Sequence, residues 1–493
     1  MPTSKTSTVL FTLILVASFA TAQTWKPLKH QPDANLGLGN PLLLTDGTVI
    51  LHQACGQAWW RLTPDPYGSY LNGAWSKIAP LPAGYGPLYF GSAVLADGRV
   101  IIEGGEYNSS GNQCQAVWTN QGAIYDPVAN TWTSVAPPKG WTTIGDAPSV
   151  VLANGVYMQA NCCTTEQALL NAKTLTWSIT RRGKFDVSDE EGFTLLPDGT
   201  VLDVDAYVFK YDAAGLNYEI FNPKNRTWTS GPDSGTVVQL WDSYPNAQKS
   251  SQELGPMVLR PDGTVFATGA SGAHAAHTSI YDTKTQSWTP GPDFPDNLGV
   301  ADGPASLLPN GHVLVQASPG VFNLGSRFFE WDGISLADVT AGNTDAPNIS
   351  SYYGNMLLLP TGEVLFTDFG NIWLYRSKGI GAAWKPQVLS MPTRLTRGHT
   401  YTASGIYFNG YSQGAAYGDD VQAATNYPLV RITNRVTGHV FYARTHNHSS
   451  MGVANPNRVY THFDVSADTE PGISDLQVVC NGIASARITV NVN

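Results

Sequence analysis

Residues 89–105 read YFGSAVLADGRVIIEGG: an apolar run, the pair Asp97-Gly98, and a second apolar run. The same phrase recurs at Asp46-Gly47, Asn154-Gly155, Asp198-Gly199, Asp262-Gly263, Asn310-Gly311 and Thr361-Gly362. Six of the seven pairs are Asp-Gly or Asn-Gly. Those pairs accept positive φ at both central positions of a primed hairpin turn, so seven hairpins are expected. Successive pairs stand 51, 57, 44, 64, 48 and 51 residues apart. A hairpin unit repeating at roughly fifty residues cannot bury both its faces alone and must stack against its neighbours.

Downstream of each hairpin comes an aromatic-acid pair or a relative, such as Tyr125-Asp126, Phe221-Asn222 or Tyr281-Asp282, and then a tryptophan. The clearest copies are AIYDPVANTW (123–132), EIFNPKNRTW (219–228) and SIYDTKTQSW (279–288). The closing tryptophans are read as Trp75, Trp132, Trp177, Trp228, Trp288, Trp331 and Trp384. A large ring at a fixed repeat position fills the wedge between radiating sheets. The period is that of kelch-type blades. The fold expected is therefore all-β: a seven-bladed kelch-type β-propeller over residues 23–388. The TWKPL segment around Trp25 is expected to complete the last blade. After Trp384 the spacing changes to short alternating stretches such as YPLVRITN, HVFYART, VYTHFDV and LQVVC. These suggest an immunoglobulin-like sandwich over 389–493.

Charged residues make up only 13% of the 493, which with 49 Gly and 32 Pro suits many short strands and turns rather than helices. The net charge of -10, without any Lys/Arg-rich run, argues against a nucleic-acid partner. Lys5, the apolar run Val9–Ala20 and Ala20-Thr21-Ala22 read as a signal peptide over 1–22. A secreted or periplasmic monomer without a membrane span is expected. Export permits disulfides among Cys55, Cys114, Cys162, Cys163 and Cys480. The odd count leaves at least one thiol over, and adjacent Cys162-Cys163 reads as a vicinal pair or as two separate bridges.

In stacked hairpins, equivalent positions form a ring. Seven to nine residues before each turn stand Leu38, Tyr89, Asp146, Glu190 (beside Asp189 and Glu191), Glu253, Asp302 and Tyr352. Four of seven units thus place a carboxylate on one rim. Three readings are open. Close carboxylates raise one another's pKa and serve as general acid and base, as in glycoside cleavage. Hard oxygen ligands hold calcium or a similar cation. Or the acids accept local hydrogen bonds at strand starts.

The domain order and these rim residues resemble the galactose oxidase and glyoxal oxidase family of copper radical oxidases, over nearly the whole chain past residue 22. In YFGSAVLADGRV, Tyr89 matches the family's cross-linked tyrosine. In YYGNMLLLPTGEV, Tyr352 matches its axial tyrosine. In YARTHNHSS, His446 matches the histidine given by a C-terminal loop entering the pore, with His448 as the alternative. The resemblance thus implies a copper site of Tyr89, Tyr352 and His446, with Tyr353 as a fourth ligand. It also implies oxidation of an extracellular carbohydrate, small alcohol or aldehyde. The chain departs from the pattern twice: Tyr353 stands where a second histidine belongs, and Leu38 stands about where the cross-link cysteine belongs. The alternatives are a non-catalytic glycan- or protein-binding propeller, and a hydrolase or lyase with Glu190, Glu253 and Asp302 as catalytic carboxylates.

Overall fold

The computed structural model describes residues 24–110, 113–181, 183–185, 187–206, 218–231, 240, 253–270 and 276–493. The expected signal peptide lies outside the described residues. Within them the chain is all-β, built of almost wholly antiparallel sheets linked by loops and 3-10 turns. No described helix is long and apolar enough to cross a membrane.

Seven four-strand antiparallel units follow one another, six as separate four-stranded sheets and one, Ala305–Leu307 to Leu336–Asp338, as part of a seven-stranded sheet. The first holds Leu38–Leu43, Val49–Gln53, Trp59–Thr63 and Ala74–Lys77. The inner strands of the next six are Gly91–Val94, Ser149–Val151, Thr194–Leu195, Leu254–Leu259, Ala305–Leu307 and Asn355–Leu358. Inner strands of sheets one and two, two and three, four and five, five and six, six and seven, and seven and one pack side by side. That is the make-up of a β-propeller.

All seven turns have one geometry, and it differs from the primed turn expected. In the first, the Gly47 N–H donates to Leu44 O and the Leu44 N–H to Thr48 O, and the other six repeat this pattern. Only the glycine has positive φ, from 78° at Gly47 to 92° at Gly263. This is a type I turn followed by a left-handed residue in a bulge. The Asp or Asn serves another purpose: its side-chain oxygen accepts the N–H two residues on, as Asp46 does from Thr48 and Asn154 from Val156. Thr361 is the exception in sequence.

The tryptophans tie one sheet to the one before. Trp132, Trp177 and Trp75 lie in fourth strands, and their indole N–H groups donate to Ala79 O, Ala136 O and His30 O, just past the outer strand of the preceding sheet. Two of the seven expected positions are corrected. Trp331 lies in the third strand of sheet six (Arg327–Trp331), and Trp384 lies in a 3-10 turn outside the sheets. The seventh closing strand is Thr24–Pro27, which pairs with Ile372–Arg376 and sets Trp25 opposite Tyr375. The same cross-strand register joins Trp132 to Tyr125 and Trp288 to Tyr281. Trp25 is buried, donates to Val339 O of sheet six and packs against Phe328 with centroids 4.4 Å apart. The N-terminal strand and sheet seven thereby join sheet six to sheet one.

The C-terminal strands form a continuous sheet running from Gln387–Ser390 to Ile488–Val492 and Arg394–Leu395. Leu395 and Ala403, from strands near its opposite ends, share one core with Ile432, Phe463 and Val478, so the sheet folds over itself. A division between 388 and 389 would cut the strand Gln387–Ser390. This sheet sits on the turn end of the seven: the N–H groups of Thr445, His448 and Met451 donate to Thr45 O, Ala96 O and Ala153 O, each one residue before a turn pair. One hairpin leaves it. Gly414–Ala416 packs against the inner strands of sheets five, six and seven, and Gln422–Ala424 against those of seven, one and two. The hairpin therefore fills the axis and carries its tip, Tyr417–Val421, to the opposite mouth.

Cysteines form Cys55–Cys114 and the vicinal Cys162–Cys163, leaving Cys480 free and buried.

Candidate functional site

The mouth opposite the turns collects the rim residues. Tyr89, Glu190 and Asp302 each lie eight residues before their turn pair, and each is left-handed, with φ of 52°, 59° and 50°. A non-glycine residue there costs on the order of 1–2 kcal/mol. Its recurrence at one repeat position turns three side chains toward the axis from alternate sheets.

Two groups of carboxylates result. Oxygens of Asp146, Glu190 and Asp419 lie within 4.8 Å of one another, and so do those of Glu190, Glu253 and Asp302. Glu190 belongs to both. Asp419 and Asp420 come from the tip of the axial hairpin and are buried. The tip approaches closely because Gly418 has no side chain: a Cβ there would lie 2.6 Å from Asp302 Oδ1 and 2.8 Å from Leu254 O.

Burial raises the pKa of Asp146, Glu190, Glu253, Asp302 and Asp420, and neighbouring carboxylates raise it further. Asp146, Asp302 and Asp420 are held well above the usual range, by desolvation and then by Asp419. Glu253 is raised likewise, with Asp302 as its largest neighbouring charge. Glu190 is pushed up to about 8, and Glu106 and Asp189 to about 7, again by desolvation and then Asp419. Glu253 hydrogen-bonds to Glu190 and to Asp302, contacts that need a proton on one partner. Asp146 Oδ1, Asp302 Oδ1, Asp419 Oδ1 and Asp420 Oδ2 are buried without a hydrogen-bond partner.

An aromatic arc borders the acids. Tyr89 stacks on Tyr417 with centroids 6.4 Å apart, and the Tyr417 hydroxyl donates to Tyr352 O. Tyr352 packs against Tyr353 and Phe322 at 4.1 and 5.3 Å. Tyr353 is 37% exposed and Phe322 45%. Burial and then Asp302 raise the Tyr89 hydroxyl well above its ordinary value.

The structure thus brings together Tyr89, Asp146, Glu190, Glu253, Asp302 and Tyr352, with Tyr353 at the edge. His446 does not join them. It ends the strand Val440–His446 on the turn side, where its ring meets Asp464 Oδ1 at 3.1 Å and stacks on His462. His448 is buried nearby against Tyr427 and Thr461. The pore-entering segment is the axial hairpin instead, and it brings carboxylates where a histidine was expected. Leu38 is buried in its strand and offers no polar group. Sequence reasoning missed Asp419, Asp420, Tyr417 and Glu106. The signal was GAAYGDDVQAA (414–424): small residues on both sides of a Gly-Asp-Asp turn suit strands that pack backbone-close in a narrow channel.

This donor set does not fit copper. Cu(II) prefers imidazole nitrogen, and among the described residues no histidine or cysteine shares either group. Cys55 is bonded to Cys114, so it has no thiol to link to Tyr89. Carboxylate and phenol oxygens suit a hard cation. The 4.8 Å limit is about twice a Ca–O distance of roughly 2.4 Å, so each trio can lie on one coordination sphere.

No family model matches the chain. A stretch of 128 residues is 27% identical to a kelch-like protein, terF, of Aspergillus terreus, spanning 26% of this chain and 26% of that protein. Among solved structures, a fungal alcohol oxidase of the AA5 family in complex with copper superposes over 96% of this chain and 100% of its own, at TM-score 0.54 and 13% identity. Virginiamycin B lyase of Staphylococcus aureus covers 72% of this chain and 99% of its own at TM-score 0.44 and 10% identity, and no argument rests on it. The chain has a kelch-like, galactose oxidase-like β fold.

Proposed function

We propose that this chain is an exported, seven-bladed propeller with an immunoglobulin-like C-terminal domain, whose axial mouth takes a neutral polyhydroxylated ligand, an extracellular carbohydrate or related polyol, through a hard divalent cation of the calcium class. The observation that carries the reading is the pair of carboxylate trios meeting at Glu190, in which buried oxygens of Asp146 and Asp419 lack any hydrogen-bond partner. Burying a carboxylate without a partner is costly, and a cation removes the cost. The exposed Tyr353 and Phe322 supply flat apolar faces against which a sugar ring stacks. Radical copper oxidation is the weaker reading, because the donor set lacks nitrogen and thiol. Calorimetric titration of the metal-free protein with calcium and with copper tests the proposal. Saturable calcium binding, with no hydrogen peroxide released from alcohols or aldehydes after copper loading, supports it. Copper-dependent peroxide release contradicts it.

A second reading rests on the hydrogen-bonded carboxyls Glu190, Glu253 and Asp302, raised in pKa and able to exchange protons with a bound sugar without metal. Cleavage of a glycan that persists in chelator would favour this reading over the cation.

A further inference from the structure

We infer that the mouth holds two divalent cations rather than one, with the Glu190 carboxylate bridging them. Asp146 and Asp419 ligate the first, and Glu253 and Asp302 the second. This deepens the cation reading above and rests on it.

The first argument is geometric. The two trios are distinct sets sharing a single residue, and each independently satisfies the 4.8 Å limit for one coordination sphere. A carboxylate has two oxygens and therefore serves two spheres at once; bridged cations stand roughly 3.5–4 Å apart. The backbone favours that role for Glu190. Its left-handed φ of 59° sets it toward the axis, between Asp146 from sheet three and Glu253 from sheet five.

The second argument is charge. The five ligands carry five negative charges when ionised. One divalent cation leaves three uncompensated in a buried cluster. Two leave one. The third argument is hydrogen-bonding capacity. Asp146 and Asp419 are 7% and 1% exposed, and Oδ1 of each is buried without a hydrogen-bond partner, although the Asp419 carboxyl also meets Asp420. The Glu253 side chain hydrogen-bonds to Glu190 and to Asp302, so the second trio is held together. Because the assembly stays net negative with two cations bound, it selects neutral vicinal hydroxyls over phosphate or carboxylate ligands.

Terbium titration reads this directly, because Tyr89 and Tyr417 lie beside the cluster and sensitise terbium emission on excitation of the phenol. The expected results are two equivalents of terbium per full-length chain, two of calcium by calorimetry, and one of each for Asp146→Asn and for Asp302→Asn. Glu190→Gln weakens both steps by tenfold or more. One equivalent in the unmodified chain overturns the bridged pair and leaves the single-cation reading standing. None at the mouth overturns both. The wild-type stoichiometry decides the matter even where a variant fails to fold.

Discussion

Replacing Gly418 by alanine tests how the axial hairpin serves the site. Gly418 is not left-handed, so the substitution acts through space and not through backbone strain. Its new Cβ would meet Asp302 Oδ1 at 2.6 Å, Leu254 O at 2.8 Å and the Asp302 Cα at 3.0 Å. All three belong to backbone or to the side chain of a residue held at φ 50°, so relief must come from the hairpin. Restoring ordinary contact of 3.4 Å moves the tip by about 0.8 Å. Overpacking of this kind costs about 1–3 kcal/mol. The functional effect is larger than the structural one. Coordination tolerates only about 0.2 Å in ligand distance, so Asp419 leaves its cation and affinity falls by tenfold or more. Denaturant unfolding gives the stability change, and calcium calorimetry gives the affinity. A variant that unfolds at lower denaturant yet binds calcium as tightly as the parent would refute the assignment of the tip to the site.

Three further outcomes follow from the structure. Trp25→Ala removes the indole that closes sheet seven against sheet six and costs about 3–5 kcal/mol, whereas Trp384→Ala, outside the sheets, costs less than half of that by denaturant unfolding. His52 is buried, and desolvation lowers its pKa to about 4. The unfolded chain takes up this proton near 6.5 and the folded chain does not, so stability is full above 6.5 and falls as pH drops toward 4, by about 3 kcal/mol from this residue. Thermal unfolding from pH 7 to 4 shows that slope, and His52→Gln flattens it. Glu190 has the opposite sign: its pKa is raised from 4.5 to about 8, so the folded metal-free chain holds the proton more tightly and loses stability as pH rises through that window. Saturating calcium abolishes this loss, which melting curves at pH 5 and pH 8 with and without calcium measure.

The repeat was legible because its signals are local. An Asp or Asn side chain caps six of the seven turns through an N–H two residues away, so the hairpins announce themselves in sequence even though the turn type differs from the primed one. The rim followed from counting, since every inner strand runs about the same distance from turn to mouth: Tyr89, Glu190 and Asp302 share one offset and one backbone conformation. What failed was non-local. Trp384 occupies the expected place for a seventh closing tryptophan, but strand pairing gives that place to Trp25 from the other end of the chain. His446 resembles a pore ligand by its neighbours in sequence, yet the C-terminal sheet docks on the turn face and keeps it there. Asp419 reaches the site only because a hairpin of small residues threads the channel, and a single sequence carries no periodicity that says which loop does so.

The most direct measurement is a crystal structure of the full chain soaked with terbium, read from its anomalous scattering. The account predicts strong peaks within about 2.5 Å of carboxylate oxygens of Glu190, one beside Asp146 and Asp419 and one beside Glu253 and Asp302. Peaks confined to other surfaces, such as the Asp464 and His446 pair, with none among these carboxylates, would contradict it.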